Sequence, residues 1–232
     1  MYMTPEQQLS EFRARIDVID ESITQLLLDR CAIVRQVAAL KNTHWPADCH
    51  IRPGREGQMH RAIAERFKGT DIPPLVAITI WRQLIAAATN LESPLTVVYG
   101  ADFHDHAWLA REYFGPLVGL NRANNLEEML ASIRDKQSNI ALLPADLSAP
   151  CWKMAAQIQS SGLMIFGLAP VVPSNMPAGT QPALALAVLA PEPSGDDISY
   201  FLQNNKIITI DGFQNTHVDA VFLGAHPRPL SL

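Results

Sequence analysis

Leu9 to Lys41 constrains this chain more than any other stretch. Its apolar residues fall at Leu9, Phe12, Ile16, Ile19, Ile23, Leu26, Ile33, Val37 and Leu40, three or four apart with one step skipped, and no Gly or Pro interrupts them. That period predicts one long helix whose apolar seam lies along other helices. The skipped slot, between Leu26 and Ile33, falls to Arg30. A guanidinium cannot shed its charge, so in an apolar seam it requires an anion. Asp29 or Glu21 would serve as a structural partner, a bound ligand would serve as well, and spacing alone does not choose.

Two more cations tilt the balance. Arg13 and Lys41 lie four whole heptads apart and so flank the seam on one side. At about 1.5 Å per residue, Arg13 and Arg30 are roughly 25 Å apart, too far to grip one small ligand. Arg30 and Lys41 are about 16 Å apart by the same rise, near enough for two long side chains to bracket one. Such a helix is about 50 Å long, more than a compact domain of roughly 90 residues covers alone. The economical arrangement is a homodimer in which Arg13 of each chain completes the other chain's site.

The chain has 232 residues, 48% of them apolar, enough for two modest domains with sizeable cores. A net charge of −5 without any basic run argues against nucleic acid or an anionic membrane as partner. Cys31, Cys49 and Cys151 are scattered without metal-ligand spacing, and neither a signal peptide nor a long apolar span is visible. Reduced thiols, no metal and a cytoplasmic location are expected. The His104-Xaa-His106 pair reads as solvated loop residues.

In chain order, Thr4 before Pro5-Glu6 is a reasonable helix N-cap. The stretch THWPADCHIRPG is a loop, a second helix starts near Arg55, and a third runs from Pro73-Pro74 to about Glu92. After Pro94 strands alternate with helices of ten or so residues. Strands are expected at LTVVYG, Leu117–Leu120, NIALLP, LMIFGL, ALALAVLA, near Tyr200, at KIITI and at VDAVFLG. Helices are expected over His106–Phe114, Asn125–Asp135 and Pro150–Ser161, together giving a parallel or mixed α/β sheet. The fold class is therefore multi-domain: an all-α region over 1–93 and a small α/β region with a mixed sheet over 94–232.

Arg52, Arg55 and Glu56 at the turn into the second helix, and Glu92 at the end of the third, could join Arg13, Arg30 and Lys41. Singly, each reads as an ordinary surface charge. As a set they form a cationic pocket for a small dianion, without nucleophile, metal or nucleotide loop. Such a pocket can hold a flexible substrate in a reactive shape and stabilise developing charge.

These residues carry a resemblance. FRARID, VIDESI, LLLDR and VAALK in the first helix, the RPGRE turn and IWRQLIAAA in the third resemble a chorismate mutase of the all-helical type, over about Leu9 to Glu92. The resemblance implies an intertwined three-helix homodimer that rearranges chorismate to prephenate without a cofactor, on the route to Phe and Tyr. It implies that Arg13 reaches a substrate carboxylate from the partner chain and Arg30 binds one in its own site. Lys41 would contact the ether oxygen of the breaking bond, Arg55 would support the pocket, and Glu56 would take the ring hydroxyl. Three positions depart: Arg52 where some members have Asp, Ala88 where a Ser lies near the carboxylate, and Glu92 where a Gln donates to the ether oxygen. An ionised carboxylate only accepts, so Glu92 would help as a neutral acid, and activity is expected to fall as pH rises. A weaker enzyme is the expectation.

From about Leu95 the chain resembles a worn prephenate dehydratase domain, through VVYG, LAREYFG, NIALLP and ALAVLAPEPSGDD. That family's Thr-Arg-Phe motif would fall near Leu184-Ala185-Leu186, where no polar side chain stands, so a fold without dehydratase chemistry is expected. Two other readings share the N-terminal pattern: an isochorismate-pyruvate lyase, and a non-catalytic module that binds chorismate or prephenate and modulates a partner enzyme.

Overall fold

The structure, a computed structural model, describes residues 3–45, 47, 49–101, 103, 105–173 and 176–232. His104 lies outside the described residues, whereas His106 is no solvated loop residue: it sits in the helix Asp105–Phe114 and is buried, its ring stacked on Phe103. The chain divides into two compact units, Met1–Pro46 and Ala47–Leu232.

The first unit is one helix, α1 (Pro5–His44). Its start is a capping box: the Gln7 amide donates to Thr4 Oγ1 at 3.3 Å, and the Thr4 amide donates to Gln7 Oε1 at 2.9 Å. Each partner thus satisfies a backbone donor that the first turn leaves orphaned. Forty uninterrupted residues make about 60 Å of helix.

In the second unit, α2 (Pro53–Phe67) and α3 (Pro74–Glu92) pack through Ile63, Ala77 and Ile78, with Phe67 against Trp81 at 6.3 Å. An eight-stranded mixed sheet follows, with β1 (Thr96–Gly100), β2 (Gly119–Ala123), β3 (Ile140–Pro144), β4 (Met164–Ala169), β5 (Ala183–Ala187), β6 (Asp197–Gln203), β7 (Lys206–Asp211) and β8 (Val221–Pro227). Their order across the sheet is β2-β1-β3-β5-β4-β8-β6-β7. β1 runs parallel to both its neighbours, β5 is antiparallel to β3 and β4, and β6 is antiparallel to β7 and β8. Helix α4 (Asp105–Phe114) supplies Leu109, Ala110, Tyr113 and Phe114 to one apolar cluster. Helix α5 (Leu126–Arg134), a 3-10 turn (Pro150–Met154) and α6 (Ala155–Ser160) supply Met129, Ile133, Trp152 and Ile158 to a second.

The all-α stretch followed by a mixed α/β sheet is the fold class read from the sequence. Boundaries moved where exposure opposed a strand. β2 begins at Gly119 and not at Leu117, which is 75% exposed and precedes the pairing of Gly119 with Thr96. β5 ends at Ala187, because Val188 faces solvent and the Leu189 amide turns back to the Ala187 carbonyl. β8 starts at Val221, after a turn that holds Asp219 at a φ of 54°.

Candidate active site

Arg13, Arg30 and Lys41 all lie within α1; Arg13 is exposed, and Arg30 and Lys41 are half-buried. All nine seam residues face outward in the single chain, from Val37 at 37% exposed to Leu26 at 67%. A contiguous apolar stripe of this length is what a partner surface looks like before it is covered.

The turn into α2 is held from a distance in sequence. Arg52 is the N-cap but makes no side-chain cap bond, and Pro53 fills the first helical position. The missing cap comes from Glu192, in the stretch between β5 and β6. Its Oε1 accepts the Arg55 backbone N–H at 3.3 Å, and its Oε2 accepts Arg52 Nη2 at 2.7 Å. Arg52 Nε lies 3.2 Å from both oxygens, so carboxylate and guanidinium meet as a fork. The Arg52 bond holds the Glu192 carboxyl below the usual carboxylate range, against the opposing effect of burial. An anion at this helix end also suits the helix dipole.

Two glycines make the close fit possible. A Cβ on Gly54 would stand 2.6 Å from the Pro193 carbonyl oxygen, and one on Gly57 would stand 2.6 Å from Pro227. Farther along α2, Arg61 donates to the Ser194 carbonyl. The RPGRE turn and the PEPSGDD stretch, unrelated in sequence, form one contact surface.

Glu56 is engaged elsewhere. It is buried, and its Oε2 accepts Arg82 Nη1 at 2.5 Å. Arg82, from α3 and buried too, also donates Nε–H to the Tyr113 carbonyl at 2.6 Å and lies 3.9 Å above the Tyr113 ring. Burial works against the Arg82 charge, but Glu56, with Tyr113 and Glu112 behind it, keeps the guanidinium above its ordinary pKa. Burial pushes the Tyr113 hydroxyl up to about 12 and raises the Glu112 carboxyl, which Arg82 partly offsets. Ala88 and Glu92, one turn apart on α3, are both half-buried.

Sequence reading had no place for Arg82, Glu192 or Tyr113. Arg82 carried a usable signal: buried Ile78, Ile85, Ala86 and Thr89 mark a helix face that it interrupts, as Arg30 interrupts the seam of α1. Glu192 carried none, sitting in what reads as a helix breaker. In the α/β region, Leu184, Ala185 and Leu186 lie in the central strand β5 and are fully buried.

Two histidines beside these elements are buried without charge. His60, whose Nε2 has no hydrogen-bond partner among the described residues, is depressed to about 3 by burial and then by Arg82 and Arg61. Burial depresses His106 to about 4, against Asp105 and the Leu142 backbone. Both folded values lie below the ordinary 6.5, so the unfolded chain takes up protons first as pH falls. Their stability contribution is complete above pH 6.5 and shrinks below it, by roughly 2 kcal/mol each at pH 5. The raised Glu112 acts in the opposite direction and offsets part of this. The Tm is therefore expected to fall on the order of 10 °C between pH 7.5 and pH 5, with a shallower fall in His60→Gln, as calorimetry would show.

Residues 12–93 match the family model described as chorismate mutase type II. A bifunctional chorismate mutase/prephenate dehydratase of Stutzerimonas stutzeri is 28% identical over 150 residues, 63% of this chain and 41% of its own length. Enzymes of the same description from Aquifex aeolicus (strain VF5) and Neisseria gonorrhoeae are 26% and 25% identical, covering 60% and 64% of this chain and 39% and 40% of their own. The chain spans about two fifths of the length of these curated relatives.

Proposed function

We propose that this protein, whose residues 12–93 match the chorismate mutase type II family model, is a chorismate mutase, an isomerase that converts chorismate to prephenate by a cofactor-free pericyclic step. The observation that carries the reading is α1 itself, which sets Arg13, Arg30 and Lys41 on one uninterrupted helix inside the matched segment. A pericyclic rearrangement asks only that the substrate be folded and that charge on the ether oxygen be stabilised. Fixed cations do both. Arg30 holds one carboxylate, Arg13 of the partner chain holds the other, Lys41 donates to the ether oxygen, and Arg55 supports the pocket. Ala88 leaves one carboxylate contact unmade, and Glu92 offers a donor only as a neutral acid.

The homodimer follows from the same helix. Nine exposed seam residues on about 60 Å of helix need covering, and a second copy of α1 presents the matching stripe. Glu56 reaches the ring hydroxyl with the carboxylate oxygen that Arg82 leaves, Oε1.

The test is product identity. Purified protein given chorismate is expected to release prephenate, and given isochorismate to release nothing. Salicylate plus pyruvate from isochorismate would install the lyase instead, and binding without turnover would install a regulatory module. Phenylpyruvate is expected not to exceed its acid-catalysed background, because β5 offers no acid group where the dehydratase motif would fall.

A further inference from the structure

The contact between the α2 turn and the stretch that follows β5 raises the question of what Glu192 does for the site. Glu192 is only 27% exposed along its side chain, and three of its four contacts are with the Arg52 guanidinium. The fourth is with the backbone N–H of Arg55, a pocket residue in the proposed reaction. Gly54 lies flat against Glu192 and Pro193 with no room for a side chain, so the turn cannot shift toward this loop. Arg61 fastens the same helix about two turns later, to the Ser194 carbonyl.

Chemistry gives the contact a purpose. Arg52 is the N-cap of the helix that carries Arg55 and Glu56, and a free guanidinium there would attract a dianion in any pose. Such attraction is uniform: it binds ground state and transition state alike and adds nothing to turnover. A forked carboxylate neutralises Arg52 and fixes its direction, and the same carboxylate caps the helix that presents Arg55.

We propose that Glu192, contributed by the α/β region, is a positioning residue for the mutase pocket, acting through Arg52 and the Arg55 backbone. The inference rests on the chorismate mutase reading and assigns to that site a part of the chain outside the matched helices. A consequence is that the α/β region serves catalysis without any chemistry of its own.

Glu192→Gln tests it, because the amide keeps the shape and removes the charge. With chorismate as substrate, kcat is expected to fall about tenfold while KM holds or falls up to about threefold, as Arg52 is released to bind without discrimination. The Tm is expected to move by no more than about 4 °C, since a partly exposed pair contributes little to folding. Glu192→Asp keeps the charge and should retain more kcat than Glu192→Gln. Arg52→Gln, which leaves the Glu192 carboxylate on the Arg55 N–H and frees no cation, should retain more kcat than Glu192→Gln. Wild-type kcat and KM in Glu192→Gln, or a Glu192→Asp no more active than Glu192→Gln, would overturn the assignment. Those outcomes leave the mutase reading intact if the wild type makes prephenate, whereas a wild type that makes none overturns both.

Discussion

An equimolar mixture of Arg13→Ala and Arg30→Ala chains is expected to recover about a quarter of wild-type chorismate turnover once subunits have exchanged. Each parent alone should be down about 10²- to 10³-fold, the usual loss when one preorganised charge contact to a reacting substrate is removed. Random exchange makes half of the dimers mixed. Under the proposed arrangement each mixed dimer has one site with both arginines and one with neither, which gives the quarter. The geometry behind this is simple: 17 residues of straight helix separate Arg13 from Arg30 by about 25 Å, and no pair of side chains spans that gap around one small molecule. A mixture no more active than its parents, with exchange verified by native mass spectrometry, would remove the assignment in trans.

What the sequence disclosed, and what it withheld, follows from the range of the interactions. The period of α1, the Thr4 cap and the alternation after Pro94 are local signals, and the elements they predict form, with ends of β2, β5 and β8 moved by two or three residues. Strand order is not local. Nothing in ALALAVLA says that β5 pairs antiparallel with both β3 and β4, because a strand buried on both faces carries no alternation to orient it. The site divides in the same way. That Arg13, Arg30 and Lys41 share one helix was legible from its period, whereas the bond from Arg52 to Glu192 joins residues 140 apart. Glu56 was legible as a charge at a helix start, but its partner Arg82 lies on another helix, inside a run that reads as core.

That buried pair gives the largest expected effect on folding. Arg82→Ala leaves the Glu56 carboxylate buried without its guanidinium and leaves the Tyr113 carbonyl without its donor. Removing one partner of a buried pair costs about 3–5 kcal/mol, so the Tm should drop roughly 10 °C or more in a domain of this size. Glu56→Gln/Arg82→Met removes both charges at similar volume. A buried pair replaced by uncharged side chains of matching size is close to neutral, and the residual loss should be about 1 kcal/mol for the unmade Tyr113 bond. The double variant therefore recovers most of the Tm, and its activity then reports on Glu56 apart from folding. An amide oxygen is a weaker acceptor for the ring hydroxyl than a carboxylate, so kcat/KM for chorismate should stay about tenfold down in the refolded double variant. A double variant that regains both Tm and wild-type turnover would make Glu56 a packing residue alone, fastening α2 to α3 through Arg82 and leaving the substrate to the cations of α1.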